Sequence, residues 1–203
     1  MNREIYISEQ AFLALLFAAA EVYRRESYGL LFGHAQPGKI IVSGALAYQT
    51  AERRFSEVSL FQRRNKVIQS LIARFPKHEY LGEFHSHADF RGREAQAALT
   101  PEDLDSMADS EIALVVAINP KRRRVPWSAN ADGSLSGTLG SWRFTLAAFT
   151  LAPKPRDSLR SSRGSRSTPF NPKSEIRNPK SNRPRIRRAR LTCPYAVRLL
   201  RNA

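Results

Sequence analysis

Two histidines separated by one residue, His85 and His87, stand between two acidic positions of the chain. Glu26 lies upstream of the pair, and Thr100 and Asp103 lie downstream. Two imidazoles and a carboxylate are ligands that zinc accepts, while a further carboxylate and a hydroxyl can transfer protons and stabilise developing charge. These residue types, in this order, indicate a metal-dependent hydrolytic reaction.

The histidine pair falls in residues 79–87, which predict a β-strand. Side chains two positions apart on a strand project from the same face, roughly 6–7 Å apart, so both imidazoles can reach one ion. Taken alone the pair is a weak signal, because such spacing also occurs on ordinary exposed strands. The other histidines, His34 and His78, are predicted to lie at the surface.

The downstream residues predict the start of a helix, with Thr100 as N-cap and Pro101 at the first helical position. Asp103 would then be the third helical residue. It could complete a capping box there, or it could be a third metal ligand presented from a rigid helix end. Two histidines and one carboxylate leave a fourth zinc position for water, as in catalytic zinc sites.

A carboxylate is also needed to take a proton from the activated water. Glu26 is one candidate, since it follows the first predicted helix and lies close to Gly29 and Gly33, which permit close packing. Glu83 is the other, because it shares the strand face of the two histidines. Glu83 could instead orient an imidazole. Spacing alone leaves this choice open.

Hydrophobic periodicity predicts the elements that position these residues. Helices are expected over residues 9–25, 60–75 and 101–109, and strands over residues 5–8, 28–34, 39–49, 79–87, 111–118, 125–129 and 136–144. Strands separated by two principal helices predict an α/β or α+β domain, with one mixed β-sheet flanked by helices.

Residues 11–20 form an apolar run ending in three alanines, which suggests either a buried helix or the core of a signal peptide. Glu4 and Glu9 stand where a signal peptide carries positive charge, and Ser8 can cap a helix, so a buried helix is favoured. The run is too short to span a bilayer. The single cysteine, Cys193, permits no intramolecular disulfide and is consistent with a cytoplasmic protein.

The net charge of +15 belongs mainly to residues 153–203, which hold 15 of the 33 Lys and Arg residues but only two of the 18 acids. This segment is rich in Ser, Pro, Arg and Asn. It predicts a domain over residues 1–150 followed by a disordered basic tail over residues 151–203. Three interpretations stay open for the tail: a polycationic arm for nucleic acid or anionic lipid, a solvated tail without a partner, or a read-through extension.

The combined pattern resembles the JAMM motif of MPN-domain zinc metalloproteases, in the form of the prokaryotic JAB type. The matching residues are Glu26, Gly29, Leu31 and Gly33, then Gly82-Glu83-Phe84-His85-Ser86-His87, then Thr100 and Asp103. The resemblance covers about residues 1–145. It departs from the family pattern at Ala88, where proline is usual, at Thr100, where serine is usual, and in the twelve residues that separate His87 from Thr100, where seven are common.

The resemblance implies a mixed-sheet, cytidine-deaminase-like fold that carries one zinc ion per chain. His85, His87 and Asp103 would be the ligands, Glu26 the acid and base, and Thr100 the group that stabilises the oxyanion. The implied activity is that of a metallopeptidase or isopeptidase acting on the C-terminus of a ubiquitin-like or sulfur-carrier protein. The alternatives are a catalytically silent MPN interaction module and a nucleic-acid-associated protein that binds through its basic tail.

Overall fold

The computed structural model describes residues 4–48, 52–53, 58–59, 62–75, 78–89, 92–107, 112–151 and 186–199. The helices of these residues are α1 (Glu9–Glu21), α2 (Gln62–Ile72), α3 (Pro101–Ser106) and α4 (Pro194–Leu199). The strands are β1 (Glu4–Ile7), β2 (Tyr28–Gln36), β3 (Lys39–Ala47), β4 (Glu52–Arg53), β5 (Val58–Ser59), β6 (Glu79–Ala88), β7 (Ile112–Pro120), β8 (Ser128–Ala129), β9 (Leu135–Leu139), β10 (Trp142–Leu151) and β11 (Ile186–Thr192). Most predicted elements are therefore present at the expected places.

Seven strands close into a barrel in the order β11, β1, β3, β2, β6, β7, β10, after which β10 pairs with β11. β1 runs parallel to both β3 and β11, and β6 runs parallel to β7, while the other barrel pairs are antiparallel. Beyond β10 the sheet continues through β9 to β8. A short hairpin of β4 and β5 is separate from this sheet.

The predicted fold class is wrong in its architecture. An open mixed β-sheet flanked by helices, of the MPN or cytidine-deaminase-like kind, was expected, whereas the chain is mainly β and forms a closed barrel with short helices. The cause is β11, which pairs with β1 on one side and with β10 on the other. These pairings join the two ends of the sheet, so neither β1 nor β10 is a free edge.

The core of the molecule lies on the inward face of the barrel strands. Inward residues from all seven strands and α1 belong to one apolar cluster, which includes Ile5, Leu31, Ile40, Phe84, Leu114, Leu146 and Leu191. Helix α1 begins where Ser8 accepts a hydrogen bond from the Ala11 amide, as the sequence predicts. Burial of Phe12, Leu15 and Leu16 confirms that residues 11–20 form a buried helix. Across the described residues, no helix combines the length and the apolar character needed to cross a membrane.

A second, smaller apolar cluster lies on the outward face of β7 and β10. Its strand members are Ala113, Val115, Ala117, Ala147 and Phe149, and they are covered by Ala97 and Met107 from the connection between β6 and β7. Because successive side chains of a strand point to opposite faces, β7 contributes residues to both clusters. Its sequence is therefore one continuous apolar run. The outward cluster forms the floor on which the segment around α3 rests.

The expected disorder of the basic tail is wrong for residues 186–199, which form β11 and α4. Arginines alternate here with small or apolar residues, and Ala189, Leu191 and Cys193 are buried. The composition of the segment hides this two-residue period, which is the signature of a strand. The predicted boundary near residue 150 adjoins residues 152–185, which lie outside the described residues.

One predicted strand, over residues 136–144, proves to be parts of two. β9 and β10 form an antiparallel pair in which Leu139 stands opposite Trp142, so a tight turn contains Gly140 and Ser141. Gly140 has a φ of 56°, a left-handed conformation that glycine adopts without strain. The glycine was the signal for a turn in an otherwise strand-like segment.

Candidate metal centre

Strand β6 presents the two histidines on the outward face of the barrel. Phe84 and Ser86 are fully buried on the inward face, whereas the side chains of His85 and His87 are 12% and 15% exposed. Their neighbours on β7 are Val115 and Ala117 of the outward cluster. The expected strand alternation is present, and it gives the histidines an apolar floor.

Helix α3 supplies the third residue of the group. Thr100 caps the helix by accepting a hydrogen bond from the Asp103 amide at 3.3 Å, and Asp103 Oδ2 accepts one from the Thr100 amide at 2.7 Å. This is the predicted capping box. The same oxygen, Oδ2, also faces both histidines. A carboxylate oxygen has two lone pairs, so capping and metal binding are compatible roles.

The three potential ligand atoms converge on one point. His85 Nε2 and His87 Nε2 lie 3.1 Å apart, and Asp103 Oδ2 lies 3.4 Å from the first and 3.9 Å from the second. A point equidistant from these atoms is about 2.0 Å from each, which matches the Zn–N and Zn–O bond lengths of zinc sites. Within the described residues, these three form a group that could hold a metal ion.

The second ring nitrogen of His87 has a partner that fixes the tautomer. His87 Nδ1 lies 2.9 Å from the carbonyl oxygen of Gln96. A carbonyl can only accept, so Nδ1 carries the hydrogen and the lone pair of the neutral ring is on Nε2, which faces Asp103. Burial and the neighbouring His85 lower the pKa of His87, which favours this neutral form. Metal-binding histidines are held in the same way by carbonyl or carboxylate partners.

The carboxyl group of Asp103 is ionised over a wide pH range. Burial by itself raises its pKa, but the hydrogen bond and charge of His85, together with the hydrogen bonds from Thr100, lower the pKa to about 2. An anionic oxygen beside two imidazoles is the donor set expected for a divalent cation with mixed nitrogen and oxygen ligands.

Glu26 comes just before the segment of the chain that pairs with strand β6. Tyr28 stands opposite His85 in the β2–β6 pair, and Ser27 exchanges hydrogen bonds with Ser86, one through each backbone amide. Continuing that antiparallel register by two residues places Glu26 opposite His87, on the same outward face. Glu26 is partly buried and has a partner of its own.

The close packing expected at the glycines near Glu26 is present at Gly29. A β-carbon at this position would overlap the carbonyl oxygen of Leu46 and the ring of Phe84. The absent side chain lets β3 and the ring of Phe84 approach β2, where the chain leaves Glu26 and enters the barrel.

Glu83, the rival acid, contacts tyrosines. Its carboxylate accepts a hydrogen bond from Tyr80 at 3.3 Å. Burial, and then the charge and hydrogen bond of Glu83, raise the pKa of Tyr28 above its usual value. Tyr28 in turn stacks on Tyr48. Glu83 precedes His85 by two residues on the strand and belongs to a tyrosine cluster. The imidazole of His87 is instead oriented by a backbone carbonyl.

Comparison with known proteins leaves the chain without an assigned family. Neither a protein-family model nor a curated protein sequence matches it. Among solved structures, it is similar to the solution structure of protein DSY2949 from Desulfitobacterium hafniense, with 16% sequence identity and a TM-score of 0.48. That match covers 72% of this chain and 84% of the other.

The remaining histidines lie apart from the group of three. His78 is 3.2 Å from the hydroxyl of Ser43 and meets the ring of Phe32 edge-on. His34 is a residue of β2, on the far side of the bulge at Gly33 from the metal-facing end of that strand.

Three residues around His87 escaped the sequence analysis. Gln96 acts through its backbone carbonyl, which leaves no trace in the residue type. Asn119 is a buried amide at the end of the apolar strand β7, and a polar residue at such a place signals a required hydrogen bond. Arg188 was assigned to a disordered tail and instead belongs to β11.

Proposed function

We propose that the protein is a zinc-dependent metallopeptidase or isopeptidase with its site at His85, His87 and Asp103. The observation that supports it most is the convergence of three ligand atoms around a point about 2.0 Å from each. Zinc bound by three protein groups and open at a fourth position activates water and polarises a carbonyl group. The proposal depends on these side chains and not on the fold expected from the motif, which the chain does not have.

In this proposal Glu26 moves the protons. The β2–β6 register, extended by two residues, would put Glu26 opposite His87, where its carboxylate could accept a proton from the attacking water. When the carbon–nitrogen bond breaks, the same carboxyl group returns the proton to the leaving amine. One water molecule is consumed, and a carboxylic acid and an amine are formed, which ionise to a carboxylate and an ammonium ion.

Thr100 has the hydroxyl that could stabilise the developing oxyanion. Its oxygen accepts a hydrogen bond from the Asp103 amide, and its hydroxyl hydrogen is a donor that can point toward a substrate carbonyl. Thr100 is an exposed residue at the start of α3. Replacing it with serine would preserve both the cap and the donor.

The substrate class follows from the motif resemblance alone. It suggests the C-terminus of a ubiquitin-like or sulfur-carrier protein, bound as an extended strand. A cytoplasmic location belongs to the same proposal and is supported by the single, buried and free cysteine, Cys193. The competing interpretation is a catalytically silent interaction module, which would need neither metal nor Glu26.

The test is a metal and cleavage assay on matched variants. Purified protein is analysed for zinc content and then incubated with ubiquitin-like fusion proteins, with and without a chelator, and the cut position is read by mass spectrometry. Glu26→Gln should retain zinc and lose cleavage, because the base is removed and the ligands are kept. Glu83→Gln is the control and should retain both. Cleavage that survives in Glu26→Gln but not in Glu83→Gln would reverse the assignment, and zinc-free wild-type protein would favour the silent module.

A further inference from the structure

Three consecutive residues beside the metal centre are each held by a different strand of the barrel. Asn119 of β7 binds the backbone of Ala95. His87 of β6 binds the carbonyl of Gln96, and Arg188 of β11 binds the carbonyl of Ala97. We call residues 95–97 the clamped segment. Its middle residue is the one that touches a potential metal ligand.

The contact at Asn119 is made in two directions. Its side-chain oxygen accepts from the Ala95 amide at 2.7 Å, and its side-chain nitrogen donates to the Ala95 carbonyl at 3.1 Å. Asn119 is 8% exposed, and both bonds are partly buried. A planar amide that pairs with both groups of one residue fixes the orientation of that backbone as well as its position.

Arg188 holds the other end of the clamped segment. Its Nη2 donates to the Ala97 carbonyl at 3.2 Å, and its Nη1 forms an ion pair with Asp132. The guanidinium also lies over the ring of Phe149, 5.4 Å from its centre. Asp132 and Phe149 therefore orient the arginine, and the arginine orients Ala97.

We propose that Asn119 and Arg188 are positioning residues for the metal centre. They hold the clamped segment so that the Gln96 carbonyl keeps the hydrogen of His87 on Nδ1 and its lone pair on Nε2, toward Asp103. A histidine without this hydrogen bond favours neither this ring orientation nor the Nδ1–H tautomer. Loss of the bond to the Gln96 carbonyl would therefore weaken metal binding even though all three ligands are still present. The inference rests on the metal site proposed above, and it extends that site to a residue of β11.

The experiment compares Asn119→Ala and Arg188→Met with the control Thr138→Val. The hydroxyl of Thr138 also forms hydrogen bonds with both the amide and the carbonyl of one residue, but that residue is Val125 and not part of the clamped segment. Arg188→Met removes the guanidinium and keeps an unbranched apolar side chain. Two readouts apply: the dissociation constants for Zn²⁺ and Co²⁺ with the Co²⁺ absorption spectrum, and the nitrogen chemical shifts of His87 in the metal-free protein, which report its tautomer.

Asn119→Ala and Arg188→Met should each weaken metal binding about tenfold, the lower end of the range for partners of metal-binding histidines. The His87 signals should also move toward the Nε2–H tautomer, while Thr138→Val matches the wild type in both readouts. Should Asn119→Ala fail to fold, Arg188→Met decides alone. Unchanged affinity and tautomer in these folded variants would overturn the inference and leave the proposed function standing. A wild-type protein that binds neither ion would overturn both.

Discussion

The two faces of strand β6 carry different properties of the protein. Inward-facing Phe84 and Ser86 are fully buried in the barrel, where Ser86 also bonds to Ser27. Outward-facing His85 and His87 remain partly exposed and meet a capping carboxylate and a backbone carbonyl. The alternation of a single strand thus separates the residues that stabilise the core from those proposed to bind metal, and substitutions on one face should affect one property alone.

Truncation after Leu151 should have the largest effect, because it weakens both stability and metal binding. The truncation removes β11 and α4, and with them the buried side chains of Ala189, Leu191 and Ala196. Loss of this burial and of two strand pairings costs roughly 5 kcal/mol or more, so the melting temperature should fall by about 10–20 °C. Calorimetry checks this.

The control for truncation is a variant with Arg187→Gln and Arg190→Gln, both exposed arginines on β11. It removes charge and keeps the strand, so its melting temperature should remain within about 2 °C of the wild type, as for most surface changes. A truncated protein that melts like the wild type would show that β11 does not close the barrel.

A pair of substitutions on β6 tests the separation of the faces directly. Phe84→Ala should lower the free energy of unfolding by about 3–5 kcal/mol through the cavity it leaves, while the folded protein still binds metal. His85→Ala should abolish metal binding and change the stability of the metal-free protein by less than about 1 kcal/mol. Urea unfolding with chelator present and zinc titration measure the two quantities. Equal loss of stability in both variants would contradict the separation.

Acid should destabilise the metal-free protein in two steps. The pKa of His87 is lowered in the folded state, so the fold favours the neutral ring, and stability should fall as the pH drops below about 6.5. The pKa of Asp103 is lowered to about 2, so its contribution is complete above pH 3.8 and is lost as the pH falls toward 2. The second step amounts to at most about 2 kcal/mol.

Urea midpoints measured from pH 8 to pH 2 resolve these steps. Asp103→Asn should remove the lower step and keep the upper one. His87→Gln should remove the upper step and keep the lower one. Metal affinity should decline over the upper step, since zinc and protons compete for the imidazole nitrogens.

The smallest effect is expected at an exposed ion pair on the outward surface. Glu94 and Arg122 approach to 3.2 Å, with side chains 59% and 86% exposed. Such pairs contribute from nothing to about 1 kcal/mol, so Glu94→Gln should alter neither the melting temperature nor zinc affinity measurably. A marked loss of zinc affinity here would mean that the clamped segment depends on solvent-exposed charge, against the argument from Asn119 and Arg188.

The candidate site could be predicted from the sequence because local structure determines where its side chains point. A two-residue spacing placed His85 and His87 on one face, and a Thr-Pro start placed Asp103 in a capping box. The contacts of Glu83 with Tyr80 and Tyr28 were not accessible, because they depend on which side chains adjoin across strands. The hydrogen bond from His87 to the Gln96 carbonyl could not be predicted for a different reason, because every residue type has a backbone carbonyl.

The barrel escaped prediction because its closure depends on one distant segment. β11 is rich in arginine, and averaged composition conceals the alternation that buries Ala189 and Leu191. Most other elements were predicted, yet the same strands make an open sheet or a barrel according to whether β1 and β10 share a partner. Long-range pairing of this kind has no local signature.

The pairing of Glu4 with Arg190 has a consequence for synthesis on the ribosome. β1 can pair with β11 only after nearly two hundred further residues have been synthesised. Closing so long a loop is slow compared with forming a hairpin. Arg188, which belongs to the late strand, also secures Ala97. Nascent chains should therefore assemble the barrel wall early but acquire full metal affinity only after β11 has joined it.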